Sequence, residues 1–213
     1  MTRGWTDRGD AGERLGRRLA EQQLPAPVVV GLARGGIEVA APVAVQLGAP
    51  LDVLVVRKVG HPRQPELGLG ALAEDGPVVW DLGGLAAAGF APADLAEEVA
   101  AERAECRRRV SAYRSGRRGV PVAGCTVVVV DDGVATGVSA RAALRSLRDA
   151  GAARLVLAAP VVAAQTMAAL ENEADEVVAL VVAQRLGAVS RWYADFRQTT
   201  DDAVVRLLRE QAG

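Results

Sequence analysis

The stretch that most restricts how this chain can fold is residues 127–139, V-V-V-V-D-D-G-V-A-T-G-V-S. Four β-branched residues in a row are apolar on both faces, as a strand must be when a parallel sheet is covered on both sides. Asp131 and Asp132 close that strand. The chain then turns through Gly133–Gly137 toward a helix beginning near Val138. In an open parallel sheet, ligands bind at the carboxyl ends of the strands. Backbone N–H groups of a glycine-containing turn at a helix N-terminus form an anion cradle, with the positive end of the dipole behind them. Thr136 and Ser139 add hydroxyl donors, and two adjacent carboxylates can accept from vicinal hydroxyls. One loop can therefore hold both ends of a ribose 5-phosphate. Aspartates at a strand end also serve as turn formers and helix caps without any ligand. Paired acids on a tight loop, however, repel each other unless a cation or hydroxyl donors share the site.

The rest of the chain supports an α/β fold with a mostly parallel central sheet flanked by helices. Runs rich in Val and Leu at residues 28–32, 52–56, 77–80, 126–130, 154–158 and 177–182 read as strands. Helical patterns lie at residues 11–22, 37–47, 138–149 and 201–211, with Pro42 expected to kink or shorten the second. The order strand, helix, strand repeats, as a parallel sheet requires. Residues 92–114 break the alternation as one long helix, with Leu95, Val99, Cys106, Val110 and Tyr113 at helical spacing. Its acids lead and its bases trail, which suits the helix dipole. Arg107, Arg108 and Arg109 read first as a solvated face and second as an anion patch. Residues 114–121 form a basic turn into the next strand.

With 213 residues and half of them hydrophobic, a sizeable core can be buried in one domain. The 25 basic and 26 acidic residues nearly balance, so nucleic acid is not expected as a bulk electrostatic partner. A local basic face built from Arg103, Arg107–Arg109, Arg114, Arg117 and Arg118 is the one candidate for RNA. Cys106 and Cys125 have no paired spacing, and a single histidine leaves almost no material for a histidine-rich metal site or a Ser-His-Asp triad. No segment approaches the about 18 apolar residues needed to span a bilayer, and the N-terminus lacks a secretory pattern. A cytoplasmic protein with no membrane partner is expected.

Residues 127–139 resemble the signature of the type I phosphoribosyltransferases, which hold phosphoribosyl pyrophosphate (PRPP). That signature is four apolar residues, two acids, two mostly apolar residues, a small residue, Thr-Gly, any residue, then Ser or Thr. The resemblance extends over about residues 28–160. It implies that Asp131 and Asp132 bind the ribose hydroxyls, and that Gly133, Val134, Ala135, Thr136, Gly137, Val138 and Ser139 form the loop cradling the 5′-phosphate. Leu32-Ala33-Arg34-Gly35-Gly36 resembles the family's pyrophosphate loop, although by itself it reads as a glycine turn. Arg57 and Lys58 stand where the family often places a basic pair near the pyrophosphate. Residues 59–75 are dense in Pro and Gly and resemble the mobile loop that closes over PRPP. His61 and Arg63 fall within it, Glu66 follows, and a lone loop histidine is more often solvated than catalytic.

The resemblance implies Mg²⁺-dependent transfer of phosphoribose from PRPP to a nitrogenous acceptor, with release of pyrophosphate. Arg57, Lys58, Asp131 and Asp132 are the expected catalytic groups. No direct protein ligand to the metal is expected; Asp131 and Asp132 would reach it through water. Two departures stand out. Ala135 occupies the place where hypoxanthine-type members carry an Asp. Gly133 replaces a larger apolar residue, which should loosen the turn. The acceptor lobe, the hood of this family, would come from residues 1–23 and 183–213, around a core at about 24–182 with a helical insert at 84–121. Trp192, Tyr193 and Phe196 either stack on an acceptor or pack the C-terminal segment on the core. The pattern is most similar to bacterial members of unassigned acceptor. Homodimers are common in the family, with the 92–114 helix a candidate interface. A regulatory PRPP or nucleotide sensor is the alternative, since fold does not fix function. The 27 residues ahead of the first strand are too short for a DNA-binding domain. A hydrolase or phosphorylase acting on a phosphoribosyl compound is a third reading.

Overall fold

Strands β1 (Val28–Ala33), β2 (Leu51–His61), β3 (Gln64–Ala73), β4 (Val79–Trp80), β5 (Thr126–Val130), β6 (Arg154–Ala163) and β7 (Glu176–Ala183) form one sheet in a computed structural model of the chain. The structure describes residues 4–74, 76–114 and 119–211, without the side chains of residues 65 and 66. The strand order is β4-β3-β2-β1-β5-β6-β7. Strands β2, β1, β5, β6 and β7 are parallel to their neighbours, while β3 and β4 continue the sheet antiparallel. The β-branched run at the centre is fully buried, as its double-sided apolarity requires.

Helices α1 (Arg8–Ala20), α2 (Gly35–Leu47), α3 (Leu82–Ala88), α4 (Ala96–Arg114), α5 (Val138–Asp149), α6 (Met167–Glu171) and α7 (Asp201–Glu210) cover the two faces. One core, between the sheet and α1, α2, α4 and α7, contains Leu15, Ile37, Val53, Cys106, Tyr113, Val128 and Leu208. The other lies under α5 and includes Val127, Val129, Leu144, Leu147 and Leu157. Helix α2 runs through Pro42 without ending. Its neighbour α1 approaches it closely: a Cβ at Gly12 would meet Pro42 Cγ at 2.9 Å, and one at Gly16 would meet Gln46 Cβ at 2.9 Å.

Residues 59–75 depart from the expected irregular loop. They belong mostly to a β-hairpin, in which β2 extends to His61 and β3 returns from Gln64. The period-two pattern Leu69, Ala71, Ala73 was present in the sequence, diluted by Gly68 and Gly70. Asp75 lies outside the described residues. The long helix begins as a short 3₁₀ turn, Pro92–Leu95, before α4 proper. Of the basic turn after it, Arg117 and Arg118 lie outside the described residues. No described helix is long and apolar enough to cross a membrane.

Trp5 meets residues 192–194 beside β6. Trp5 N–H donates to the Trp192 carbonyl at 3.0 Å, and Ala194 N–H returns to the Trp5 carbonyl at 2.9 Å. Trp5, Ala11, Val161, Ala163, Leu186 and Tyr193 form a third apolar cluster there. Residues 1–23 and 183–213, expected to form one lobe, thus contribute neighbouring segments at this point.

Candidate active site at the strand ends

The carboxyl end of β5 delivers Asp131 and Asp132 into a cavity of about 640 Å³. The cavity is also lined by Arg34, Gly35, Arg57, Lys58, residues 133–137, Ser139 and Phe196. Segments expected from sequence to hold three parts of one ligand therefore share one space. Gly36 and Val138 are buried behind the wall.

The loop after β5 is anchored by a short parallel bridge: Val134 N–H donates to Val161 O at 2.8 Å, and Ala163 N–H to Val134 O at 2.9 Å. Gly137 then adopts φ 75° and caps α5. That left-handed conformation favours glycine over any residue with a Cβ. The first-turn N–H groups of α5 have no upstream carbonyl to bond. With Thr136 exposed and Ser139 lining the cavity, the loop presents an anion cradle.

The R-G-G segment between β1 and α2 is more than a turn. A Cβ at Gly36 would lie 2.6 Å from the Val130 carbonyl, and one at Gly35 would overlap Asp132 Oδ2. Both positions must lack a side chain for the two loops to touch. The Ala33–Arg34 peptide is cis.

The two acids stand in different surroundings. Burial pushes the Asp131 carboxyl well above the ordinary range, and the charge of Asp132 adds to the effect. Burial also raises Asp132, but the Arg8 guanidinium opposes the shift. Arg8 Nε donates to Asp132 Oδ2 at 2.8 Å, from a side chain only 7 % exposed. Nothing in the sequence pointed to Arg8. It lies 124 positions from Asp132 at the start of an ordinary amphipathic helix. On its other side, Arg8 lines a second cavity of about 560 Å³ with Glu38, Arg197 and Arg206.

Helix α4 also reaches the site. Glu102 and Arg109 line the cavity. Glu102 Oε2 accepts from Arg57 Nε at 2.6 Å, and Arg109 Nε donates to Glu105 Oε1 at 2.7 Å. The face of three arginines thus divides: Arg107 and Arg108 are exposed, whereas Arg109 turns inward. A usable signal existed, because Glu102 and Arg109 share the helical stripe of Leu95, Cys106 and Tyr113. Arg34 approaches Asp201 at 3.6 Å, and Asp201 also accepts from the Tyr113 hydroxyl at 2.7 Å.

The aromatic trio separates. Phe196 lines the cavity, while Trp192 and Tyr193 do not. Trp192 Nε1 donates to the Leu186 carbonyl at 3.1 Å, and Trp5 packs 5.4 Å from Tyr193, centroid to centroid. The Tyr193 hydroxyl donates to the Asp132 carbonyl. Trp192 and Tyr193 thus take the second of the two uses expected of the trio, packing the C-terminal segment.

Gly133 is also corrected. Rather than loosening the turn, it makes room for Val189, whose Cγ1 would lie 2.6 Å from a Cβ there. His61 is neither solvated nor in the cavity. It is 9 % exposed, packs edge-on against Phe90 at 5.0 Å, and accepts the Arg63 N–H on Nδ1 at 3.0 Å. Among the described residues, no group of three His, Cys, Asp or Glu side chains is placed to hold a metal ion.

Residues 7–184 match the family model described as "Phosphoribosyl transferase domain". A Mycobacterium tuberculosis H37Rv protein named "Putative phosphoribosyl transferase" is 45 % identical over 202 residues, which cover 95 % of this chain and 46 % of that protein. The chain therefore spans about half the length of the curated relatives it matches. The crystal structure of TT1426 from Thermus thermophilus superposes with a TM-score of 0.81 at 44 % identity, covering 98 % of this chain and 99 % of that one. The Aquifex aeolicus protein AQ2163 shares the fold at a TM-score of 0.53 and 14 % identity, over 88 % of this chain and 84 % of that one. With most of its length inside the family match, the chain belongs to the phosphoribosyl transferase domain family.

Proposed function

We propose that this chain transfers the 5-phosphoribosyl group of PRPP to a nitrogen nucleophile, releasing pyrophosphate. The observation that carries the reading is the single cavity shared by Asp131, Asp132, the 135–139 cradle, Arg34, Gly35, Arg57 and Lys58. The ligand it fits has a phosphate at one end, vicinal hydroxyls in the middle and a second anionic group at the other end.

In the reaction, the acceptor nitrogen bonds to C1 of the ribose as the C1–O bond to pyrophosphate breaks. Positive charge develops on the ring and negative charge on the leaving group. Fixed cations and amides aimed at the leaving group stabilise that charge without reorganising. Arg34, Arg57 and Lys58 supply the cations here, and the backbone of Gly35 supplies close approach. Asp131 and Asp132 accept from the ribose hydroxyls and orient the sugar for in-line attack. Phe196, with Arg8 stacked on its ring, is the one member of its aromatic trio at the cavity wall.

The residues fit a Mg²⁺ ion that arrives with the diphosphate, since this metal keeps its waters and binds through one or two carboxylates plus substrate phosphates. Asp131 and Asp132 would hold it through water. The ion would neutralise charge on the departing pyrophosphate.

The test is to incubate the protein with PRPP, Mg²⁺ and a panel of bases, amines and water, and to measure pyrophosphate release. Release dependent on one nitrogenous acceptor supports the proposal. Tight PRPP binding without release across the panel would make the chain a sensor, and release with water alone would make it a hydrolase. Unchanged PRPP affinity after Asp131→Asn with Asp132→Asn would overturn the site.

A further inference from the structure

Arg8 is 6 % exposed, and its guanidinium is fixed from several directions. Nε donates to Asp132 Oδ2 and Nη1 to the Arg197 carbonyl, each at 2.8 Å. Nη1 also lies 3.5 Å from Glu38 Oε2, and the guanidinium carbon sits 3.8 Å from the Phe196 ring centroid. A planar fork that donates in its plane and stacks on its face can satisfy all of these together; an ammonium cannot. The Tyr193 hydroxyl bonds the main-chain carbonyl of the same aspartate. Gly35 closes the arrangement, because a Cβ there would overlap Asp132 Oδ2 and lie 3.0 Å from Arg8 Nε.

From this geometry we infer that Arg8 is a positioning residue for the ribose end of the site. It holds the Asp132 carboxylate in one orientation and ties that orientation to the C-terminal segment that carries Tyr193, Phe196 and Arg197. The inference rests on the reading of Asp131 and Asp132 as acceptors of the ribose hydroxyls. Arg8 gives Nε and Nη1 to protein groups and does not line the ligand cavity, so its effect on a ligand there passes through Asp132. The pyrophosphate end, with Arg34, Arg57 and Lys58, has no direct bond to Arg8. That separation gives the role a distinct signature.

Calorimetric titration of the full chain with PRPP and Mg²⁺, with ribose 5-phosphate, and with pyrophosphate in the absence of Mg²⁺ reads that signature. Arg8→Gln is expected to weaken PRPP and ribose 5-phosphate by ~10- to 100-fold, the scale of misplacing a binding group by about 1 Å, and to leave pyrophosphate unchanged. Arg8→Lys, which keeps the charge without the planar fork, is expected to restore part of the loss. If Arg8→Gln does not fold, Phe196→Leu decides, since it removes the stack and leaves the ion pair; it should weaken the same two ligands and spare pyrophosphate. Equal loss for all three ligands, or loss for none, would overturn the inference. If Asp132→Asn loses ribose 5-phosphate while Arg8→Gln does not, the Arg8 role alone fails. If the unaltered protein binds neither PRPP nor ribose 5-phosphate, the site reading fails and takes the Arg8 role with it.

Discussion

Glu102 holds Arg57 in a 2.6 Å ion pair between the long helix α4 and strand β2, and both residues line the cavity. The cation expected to meet pyrophosphate is thus also the partner of a carboxylate. A polyanion entering the cavity has to compete for it. Removing the charge of Glu102 frees Arg57 and takes a repelling group away. Glu102→Gln should therefore tighten PRPP and pyrophosphate by roughly two- to fivefold, the value of a partly exposed ion pair. Titration calorimetry checks it; weaker binding would mean that Glu102 orients Arg57 productively.

Asp131 is half-buried at the cavity wall, and its carboxyl is held above its ordinary range by burial and by the charge of Asp132. An acid whose pKa is raised on folding binds more protons in the native state, so stability falls as pH rises through that range. Asp131→Asn removes the effect and should raise the melting temperature at neutral pH, by about 2–4 °C for each kcal/mol gained in a chain of this size. The same substitution should weaken PRPP binding, a trade of function for stability. In the unaltered protein, PRPP affinity should fall on acidification with a midpoint above the ~3.9 of an unperturbed aspartate. A midpoint at or below that value would contradict the burial of Asp131.

Gly133 and Val189 occupy one space. A side chain at Gly133 forces Val189 and the segment around it away from the loop. Gly133→Val should destabilise the protein by about 1–3 kcal/mol, as overpacking does. Val189→Ala in the same chain should recover most of the loss, a coupling that a double-mutant cycle in urea measures directly. Additive effects would show that the segment moves independently of the loop.

Asp201 joins α4, α7 and the R-G-G segment by accepting from Tyr113 at 2.7 Å and Arg108 at 3.2 Å, with Arg34 at 3.6 Å. The Tyr113 hydrogen bond, followed by that of Arg108, holds the Asp201 carboxyl below its ordinary value. Tyr113→Phe should cost about 1–2 kcal/mol, since the bond runs to a charged acceptor. A depressed carboxylate stabilises above its unfolded pKa and loses that contribution as pH falls through the folded one. The deficit of Tyr113→Phe should therefore shrink below about pH 4. Thermal melts of both proteins from pH 3 to pH 7 would test this.

The strand–acid–acid–turn–helix unit was legible because every part of it is local. β-Branched residues fix the strand, Gly137 the turn and the amphipathic pattern of α5 the helix. The same holds for the alternation of strands and helices that makes the sheet parallel. The hairpin of β2 and β3 was harder to read, because Gly68 and Gly70 interrupt the alternation that a strand would display. Partners of charged residues were not legible at all. Arg8 and Asp132 are far apart in sequence, as are Arg57 and Glu102, and no periodicity links such positions. Sequence by itself determined the order of strand, two acids, glycine turn and helix around β5, since these are properties of one short segment. Only the tertiary structure decided how those acids differ, which cations are engaged, and which aromatic faces the cavity. Those properties depend on burial and on side chains brought together by the packing of distant elements.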